Sequence, residues 1–293
     1  ESAYASDEKY PARRVEHLGD GYLGGYRIAS VAVYPLQYQP LSGRLTIATE
    51  LSVGLELQSD VDRSRPRHRI TSRSAATYRE AVRRLVENPE DVEPTAGGPV
   101  IEDVGAHGFL PRYTPSLEGS PVDYVIITTE QFVDQFQQLA EWKTKKGVPT
   151  VVRTVNWIES SYAGGCDMAE RIRYFIADAY ESWGASFFLL GGDTDSVPVR
   201  YARSAYYDVG YVTTDLYYSD LDTNWNGDGD SAFGEGYAGA SSPGDSVDLY
   251  PDVFVGRAPV ETTFETETFI TKTLQYEKNA AAAFARRNLY LAE

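Results

Sequence analysis

Asp220, Asp222, Asn224, Asn226, Asp228 and Asp230 place an oxygen-bearing side chain at every second position, and Glu235 closes the run. Between Arg203 and Arg257 the chain carries ten acidic residues and no Lys or Arg. Carboxylates packed this closely repel one another unless something positive sits among them. A hard cation that takes roughly six to eight oxygens suits this donor set, and the spacing favours calcium. The loop template D-x-[DN]-x-[DN]-G-x5-E starts at Asn224 and passes through Asn226, Asp228 and Gly229 to Glu235. Gly229 takes the sharp-turn position and Glu235 the bidentate one. Asn224 in place of Asp removes a charge and weakens affinity. No helix is expected ahead of the loop, so the pattern is not a complete EF-hand; a solvated acidic turn rich in Gly and Asn is the plain alternative.

A second chemical signal is Leu190-Gly191-Gly192-Asp193, followed by Asp195 and Pro198. It closes an expected strand, and ligands of open α/β sheets gather outside the carboxyl ends of the strands. Asp193 would face that crevice, although a capping or loop Asp fits the same pattern. Cys166 precedes a helix start, where the dipole lowers a thiol pKa. A thiol nucleophile also needs a histidine base. The histidines are His17, His68 and His107, all in the first part of the chain. Cys166 is therefore expected as a free, partly buried thiol. Neither a P-loop nor a HExxH or GxSxG motif occurs.

These residues need a scaffold, and 293 residues with 42% hydrophobic content can hold two domains. No segment is long and apolar enough to span a membrane. The opening Glu1-Ser2-Ala3-Tyr4 carries no basic-then-apolar signal, so any export signal is removed or not included. One cysteine excludes an internal disulfide framework. Residues 1–112 carry 14 Lys+Arg against 16 Asp+Glu, a net of −2, which leaves −14 of the total −16 for residues 113–293. That field disfavours nucleic acid and anionic lipid, and suits cations or a basic substrate.

The first part reads as β structure. Tyr26–Tyr34 and Leu45–Leu57 alternate apolar and polar residues, with a turn signal at Pro40-Leu-Ser-Gly43 between them. An antiparallel sheet with one buried face follows. A basic stretch, Arg63–Arg69, precedes a short helix expected around Ala75–Val86, and Asn88–Gly98 reads as a linker. The second part changes period. Strands are expected at Val122–Thr128, Pro149–Thr154, Ser186–Leu190, Asp252–Arg257 and Asn288–Ala292. Helices are expected at Glu130–Lys145, after the capping box Asp167-Met-Ala-Glu170, and at Glu261–Phe284. Strands alternating with helices predict a parallel sheet covered on both faces.

The blocks Val122–Thr128, Trp142-Lys-Thr-Lys-Lys-Gly147, Ile172-Arg-Tyr-Phe-Ile176, Phe188-Leu-Leu-Gly-Gly-Asp193, Asp252-Val-Phe-Val-Gly-Arg257 and Tyr276-Glu277 resemble the start of a gingipain-type cysteine peptidase catalytic domain. Tyr34-Pro-Leu-Gln-Tyr-Gln-Pro40 with Gly43-Arg-Leu resembles that family's amino-terminal prodomain. The resemblance implies a caspase-like, mostly parallel sheet with helices on both faces, residues 113–293, behind an antiparallel β prodomain with linker, residues 1–112. It implies calcium near the crevice, with Asp193, Asp248, Tyr250 through its carbonyl, and Asp252 as ligands and Asp245 as a further candidate. The Asn224–Glu235 loop is then a separate insertion. Arg112-Tyr113-Thr-Pro resembles the family's maturation junction, cleaved after Arg. An exposed linker carrying an Arg is the alternative there. Arg63–Arg69 offers a second cut.

In that family the catalytic His and nucleophilic Cys lie on later strands, beyond Leu289-Tyr-Leu-Ala-Glu293. Glu293 falls where the family has an acidic residue that supports the catalytic histidine. The expectation is a secreted or cell-surface, calcium-stabilised cysteine endopeptidase acting on proteins or peptides, present as zymogen or processed half. It should be inactive alone and pair with the carboxy-terminal half of the same precursor. The rivals are a non-catalytic calcium-binding interaction module on the same fold, and a metal-dependent α/β hydrolase using Asp193 and Asp195.

Overall fold

The computed structural model describes residues 6–56, 71–93, 122–203, 210–235, 245, 247 and 250–279. Two hairpins open the chain. Strands β1 (Val15–Leu23) and β2 (Tyr26–Val33) pair antiparallel across Gly24-Gly25. Both glycines have positive φ, +55° and +86°, the geometry a two-residue hairpin turn demands. Strands β3 (Leu36–Gln39) and β4 (Arg44–Ile47) form the second hairpin over the expected turn. A bridge between Tyr10 and Tyr38 ties the preceding chain to it. Helix α1 (Ser72–Leu85) starts at Thr71, whose hydroxyl accepts the Ser74 N–H while Ser74 answers to the Thr71 N–H. Its Tyr78 and Val82, one turn apart, share the buried face.

The second part alternates as expected: β5 (Tyr124–Thr128), α2 (Val133–Lys145), β6 (Thr150–Thr154), α3 (Val155–Ser161), α4 (Met168–Asp178), β7 (Phe187–Gly191). A hairpin of β8 (Arg200–Arg203) and β9 (Tyr211–Thr214) follows, then the short α5 (Leu216–Ser219), β10 (Phe254–Ala258) and α6 (Thr263–Lys278). Strands β10, β7, β5 and β6 lie in that order, all parallel. Period-two alternation sorts their side chains between two cores. Val125, Ile127, Val151, Phe188 and Leu190 pack with Ile158, Ile172, Phe175 and Ile176 of α3 and α4. Ile126, Leu189 and Ala258 pack with Phe136, Leu139 and Ile270 of α2 and α6. Helices on both faces of a parallel sheet, behind antiparallel β structure, are the arrangement expected of a caspase-like fold.

The amino-terminal unit is built into the first of these cores. Leu23, Ile28, Tyr78, Val82 and Val92 join it. Tyr78 stacks on Phe254 at 5.4 Å, and its hydroxyl donates to the Asp252 carbonyl at 2.5 Å. A Cβ on Gly24 would meet the Tyr78 ring at 2.2 Å. Arg73 donates to the Gly147 carbonyl at 2.6 Å and pairs with Asp123 at 3.1 Å.

Three local expectations change. The alternation from Leu45 yields only β4, because residues 48–56 pair with no strand among the described residues. Leu36, Tyr38, Leu45 and Ile47 line one face of the second hairpin yet are exposed, so the buried side of the β region lies instead at Leu23 and Ile28. Alternation defines which residues share a face, not what covers it. The Asp167 side chain accepts the Glu170 N–H, but Glu170 returns to the Cys166 N–H rather than to Asp167, so the capping box is displaced by one residue. Arg63–Arg69 and Asn288–Ala292 lie outside the described residues.

Candidate functional site

The most buried acidic group forms where α5 ends and β10 begins. Backbone bonds from Asp252 and Val253 to the Ser219 carbonyl, 2.7 and 3.2 Å, zip the two segments together. This brings Asp220, Asp222 and Asp252 into one cluster, with one carboxylate oxygen from each lying within 4.8 Å of the others. Asp220 is fully buried and Asp252 is 5% exposed. Thr223 donates its hydroxyl to both Asp220 oxygens at 2.5 and 2.6 Å, and the Trp225 indole N–H adds a third bond at 3.1 Å. The Leu221 N–H reaches Asp252 Oδ2 at 2.7 Å. Arg173 holds the Asp220 carbonyl with two bonds, 3.1 and 2.6 Å, which fixes the turn. An all-carboxylate donor set this tight suits a hard divalent cation, since three like charges at that spacing are stable only with a proton or cation among them.

The Asn224–Glu235 loop adjoins it. Asn224, Asp228 and Asp230 each accept an N–H two residues onward, from Asn226, Asp230 and Ala232. Gly229 takes φ +75° at the sharp turn. Asp228, Asp230 and Glu235 come together with oxygens within 4.8 Å. The loop rests on an aromatic floor: Trp225 meets Tyr217 edge-on at 5.5 Å, and Arg200 lies 3.8 Å over Phe233. Arg200 is held by Asp167 through two bonds of 2.7 and 2.9 Å. Asp245 closes the loop by accepting from the Gly227 and Glu235 N–H groups at 2.5 and 3.0 Å. Glu235 itself pairs with Arg203 at 2.8 Å, so a cation there would compete with that guanidinium.

Asp193 joins neither cluster. It leaves the carboxyl end of β7, with its N–H on the Val260 carbonyl at 3.0 Å and its own carbonyl accepting from Ser196 and Val197. Its carboxylate lies beside Glu261, whose pKa is raised by the Asp193 hydrogen bond and charge. Gly191 is required here, because a Cβ would strike Phe136 at 2.5 Å. Arg257 secures the crevice loop. It forms two 2.7 Å bonds to Asp215 and also donates to the Gly192 and Val197 carbonyls at 3.0 and 2.6 Å.

Cys166 is exposed rather than partly buried. Desolvation, then the hydrogen bond and charge of Glu170 with the charge of Asp167, raises its pKa, so the thiol stays protonated near neutrality. Tyr250 lies beside Asp252 of the carboxylate cluster in sequence, and its hydroxyl hydrogen-bonds with that of Ser30 of β2 at 2.7 Å. Asp248, Arg112, Tyr113 and Glu293 lie outside the described residues. Sequence reasoning missed the pairing of Asp220 and Asp222 with Asp252, and the roles of Tyr78 and Arg257. Only the adjacency of Asp252 to a strand start hinted at the first.

A parallel sheet covered on both faces defines an α/β domain; its crevice side is the carboxyl end, where Asp193 leaves β7, while the buried carboxylate cluster lies at the amino end of β10. Comparison with known proteins narrows the class. The profile of peptidase family C25 matches residues 118–293, and that of propeptide C25 matches residues 1–79. The chain belongs to peptidase family C25 and carries the family's propeptide ahead of the peptidase region. Gingipain R2 of Porphyromonas gingivalis is 24% identical over 284 residues, covering 94% of this chain and 30% of that protein. Lys-gingipain of the same organism is 22% identical over 270 residues, covering 90% and 12%. The chain thus spans less than a third of these relatives. Among solved structures, dimeric latent PorU from Porphyromonas gingivalis has a TM-score of 0.44 at 22% identity, covering 58% of this chain and 17% of that one. The complex of Porphyromonas gingivalis RgpB pro- and mature domains has a TM-score of 0.38 at 21% identity, covering 53% and 29%.

Proposed function

We propose that this chain is the propeptide and amino-terminal peptidase segment of a secreted or cell-surface, calcium-stabilised cysteine endopeptidase. The match of residues 118–293 to peptidase family C25 carries this reading. In a Cys/His mechanism a thiolate attacks the scissile carbonyl, an imidazole carries the proton to the leaving amine, and backbone N–H groups hold the oxyanion. Residues 118–293 contain no histidine, and their one cysteine is the protonated, exposed Cys166. Thiolate and imidazole therefore come from a further segment of the same precursor, and this chain alone is inactive. Glu293 orients that imidazole, and cleavage after Arg112 frees Tyr113.

Calcium suits the oxygen-only donors. Asp220, Asp222 and Asp252 would hold it at the start of β10, with Asp248 and the Tyr250 carbonyl as neighbouring donors, and Asp193 would serve the crevice. Asn224, Asn226, Asp228, Asp230 and Glu235 would hold a second ion once Glu235 leaves Arg203. Bound calcium would neutralise the clustered carboxylates and lock the α5–β10 junction.

The test is to treat the purified protein with calcium and a Cys-directed covalent peptidase probe, and to weigh every chain by intact mass. A companion chain that takes the label supports the two-part peptidase. An unlabelled chain with no companion would instead favour a calcium-binding module that kept the fold without the chemistry.

A further inference from the structure

Arg153 is a buried cation that the peptidase reading does not use. It is the fourth residue of β6, paired in register with Ile127, and turns into the core under α3. Only 8% of it is exposed. Its guanidinium carbon sits 4.9 Å from the Trp157 ring centre and 5.4 Å from that of Trp183, so two indoles wall the group. One terminal nitrogen, Nη1, donates to the Val152 carbonyl at 2.9 Å. The other edge, Nε with Nη2, is buried and has no acceptor among the described residues. The Trp183 indole N–H is likewise buried without an acceptor among them.

These orphans are of one kind. Nε and Nη2 form the side-on fork of a guanidinium, two parallel N–H groups whose separation matches the two oxygens of a carboxylate. A fully buried donor without a partner costs free energy, and a buried charge costs more. No carboxylate among the described residues meets this demand: Arg153 has no acidic ion-pair partner there, and only Tyr162 adds to its field. Asp178 is occupied, accepting the Tyr162 hydroxyl at 2.6 Å and the Ser182 hydroxyl at 2.8 Å. Trp157 is 38% exposed, so one of the two walls of the group reaches the surface.

We propose that Arg153, walled by Trp157 and Trp183, forms a carboxylate-binding subsite under α3, separate from the acidic crevice. The ligand is a single carboxylate that docks side-on to Nε and Nη2, its apolar remainder against the indoles. Being at the β6 edge of the sheet, the subsite can fill while the crevice is occupied. Free small carboxylates and the C-terminal carboxylate of a peptide share this chemistry.

Acetate titrated against chloride at constant ionic strength and pH, with the whole 293-residue chain, tests it. Expected are a saturable downfield shift of the Arg153 Nε–H resonance and a saturable change in tryptophan emission. Arg153→Lys keeps the charge and loses the fork, and should weaken the emission response at least tenfold. A short peptide with a free C-terminus, run beside its C-terminal amide, separates the sources. Tighter binding of the acid than of acetate assigns the site to peptide ends, and equal binding assigns it to small carboxylates. An Arg153 Nε–H that responds to acetate no more than to chloride overturns the proposal, because solvent then satisfies the fork. That resonance is read in the unsubstituted protein, so an unstable Arg153→Lys leaves the test intact.

Discussion

Asp252 serves two partners at once. Its side chain belongs to the carboxylate cluster with Asp220 and Asp222, while its carbonyl accepts the Tyr78 hydroxyl from the amino-terminal unit. Replacing Asp252 with Asn keeps the shape and removes the charge. In the unsubstituted chain, calcium at about a hundred times its dissociation constant should add about 2.7 kcal/mol of stability, lost on chelation. The Asn variant should melt at nearly the same temperature with and without chelator; an undiminished calcium response would remove Asp252 from the ligand set. The cluster was half legible in sequence. Asp220 and Asp222 stand in an alternating run that announces itself, but their third member lies about thirty positions on, and only the Ser219–Asp252 backbone bonds bring it near. Nothing in the spelling around Tyr78 marks it as a partner, because a buried tyrosine in an amphipathic helix looks like any core residue.

At the scale of elements, α2 and α6 are joined by one acid. Glu277 accepts from the Trp142 indole at 2.8 Å, from Lys146 at 2.9 Å and from Lys143. Burial works against its charge, yet the bonds from Lys143, Lys146 and Trp142 outweigh it and hold its pKa down at about 2, from an ordinary 4.5. A depressed carboxylate stabilises the fold above its unfolded pKa. That contribution is therefore complete above pH 4.5 and drains away as pH falls toward about 2. Glu277→Gln should cost about 2 kcal/mol at neutral pH and flatten the acid limb of a stability–pH curve in this window. Melts from pH 7 to pH 2 check it, and two parallel curves would refute it. The sequence disclosed these elements well, since the apolar runs of β5, β6 and β7 and the stripe of α2 carry their own periods. It overstated β4, where alternation persisted past Ile47 without a neighbouring strand. It named Glu277 only within the Tyr276-Glu277 block and gave it no partner, because its three donors come from 131 to 135 positions away.

Across the whole molecule, the propeptide is not an appendage. Gly24 touches the Tyr78 ring, Gly21 touches Tyr250, and Tyr78 stacks on Phe254 at the head of β10. Gly24→Ala would force a methyl into the ring at 2.2 Å from a backbone already at φ +55°. It should cost about 2–4 kcal/mol and speed limited proteolysis of the whole chain. An unchanged melting temperature would show that the two units do not share a core.

The bond from Tyr78 to Asp252 joins positions 174 residues apart. While the chain is continuous, the tether keeps the amino-terminal unit near its seat at an effective concentration of about a millimolar. Severing the chain anywhere between residues 93 and 122 breaks none of the contacts made by Gly24, Arg73 and Tyr78, yet turns reseating into an encounter between two separate molecules. Dilution then decides how long the head of β10 stays covered. In a confined volume the cut protein would behave as though whole, and on escape into a large one it would shed its cover without any further chemical step.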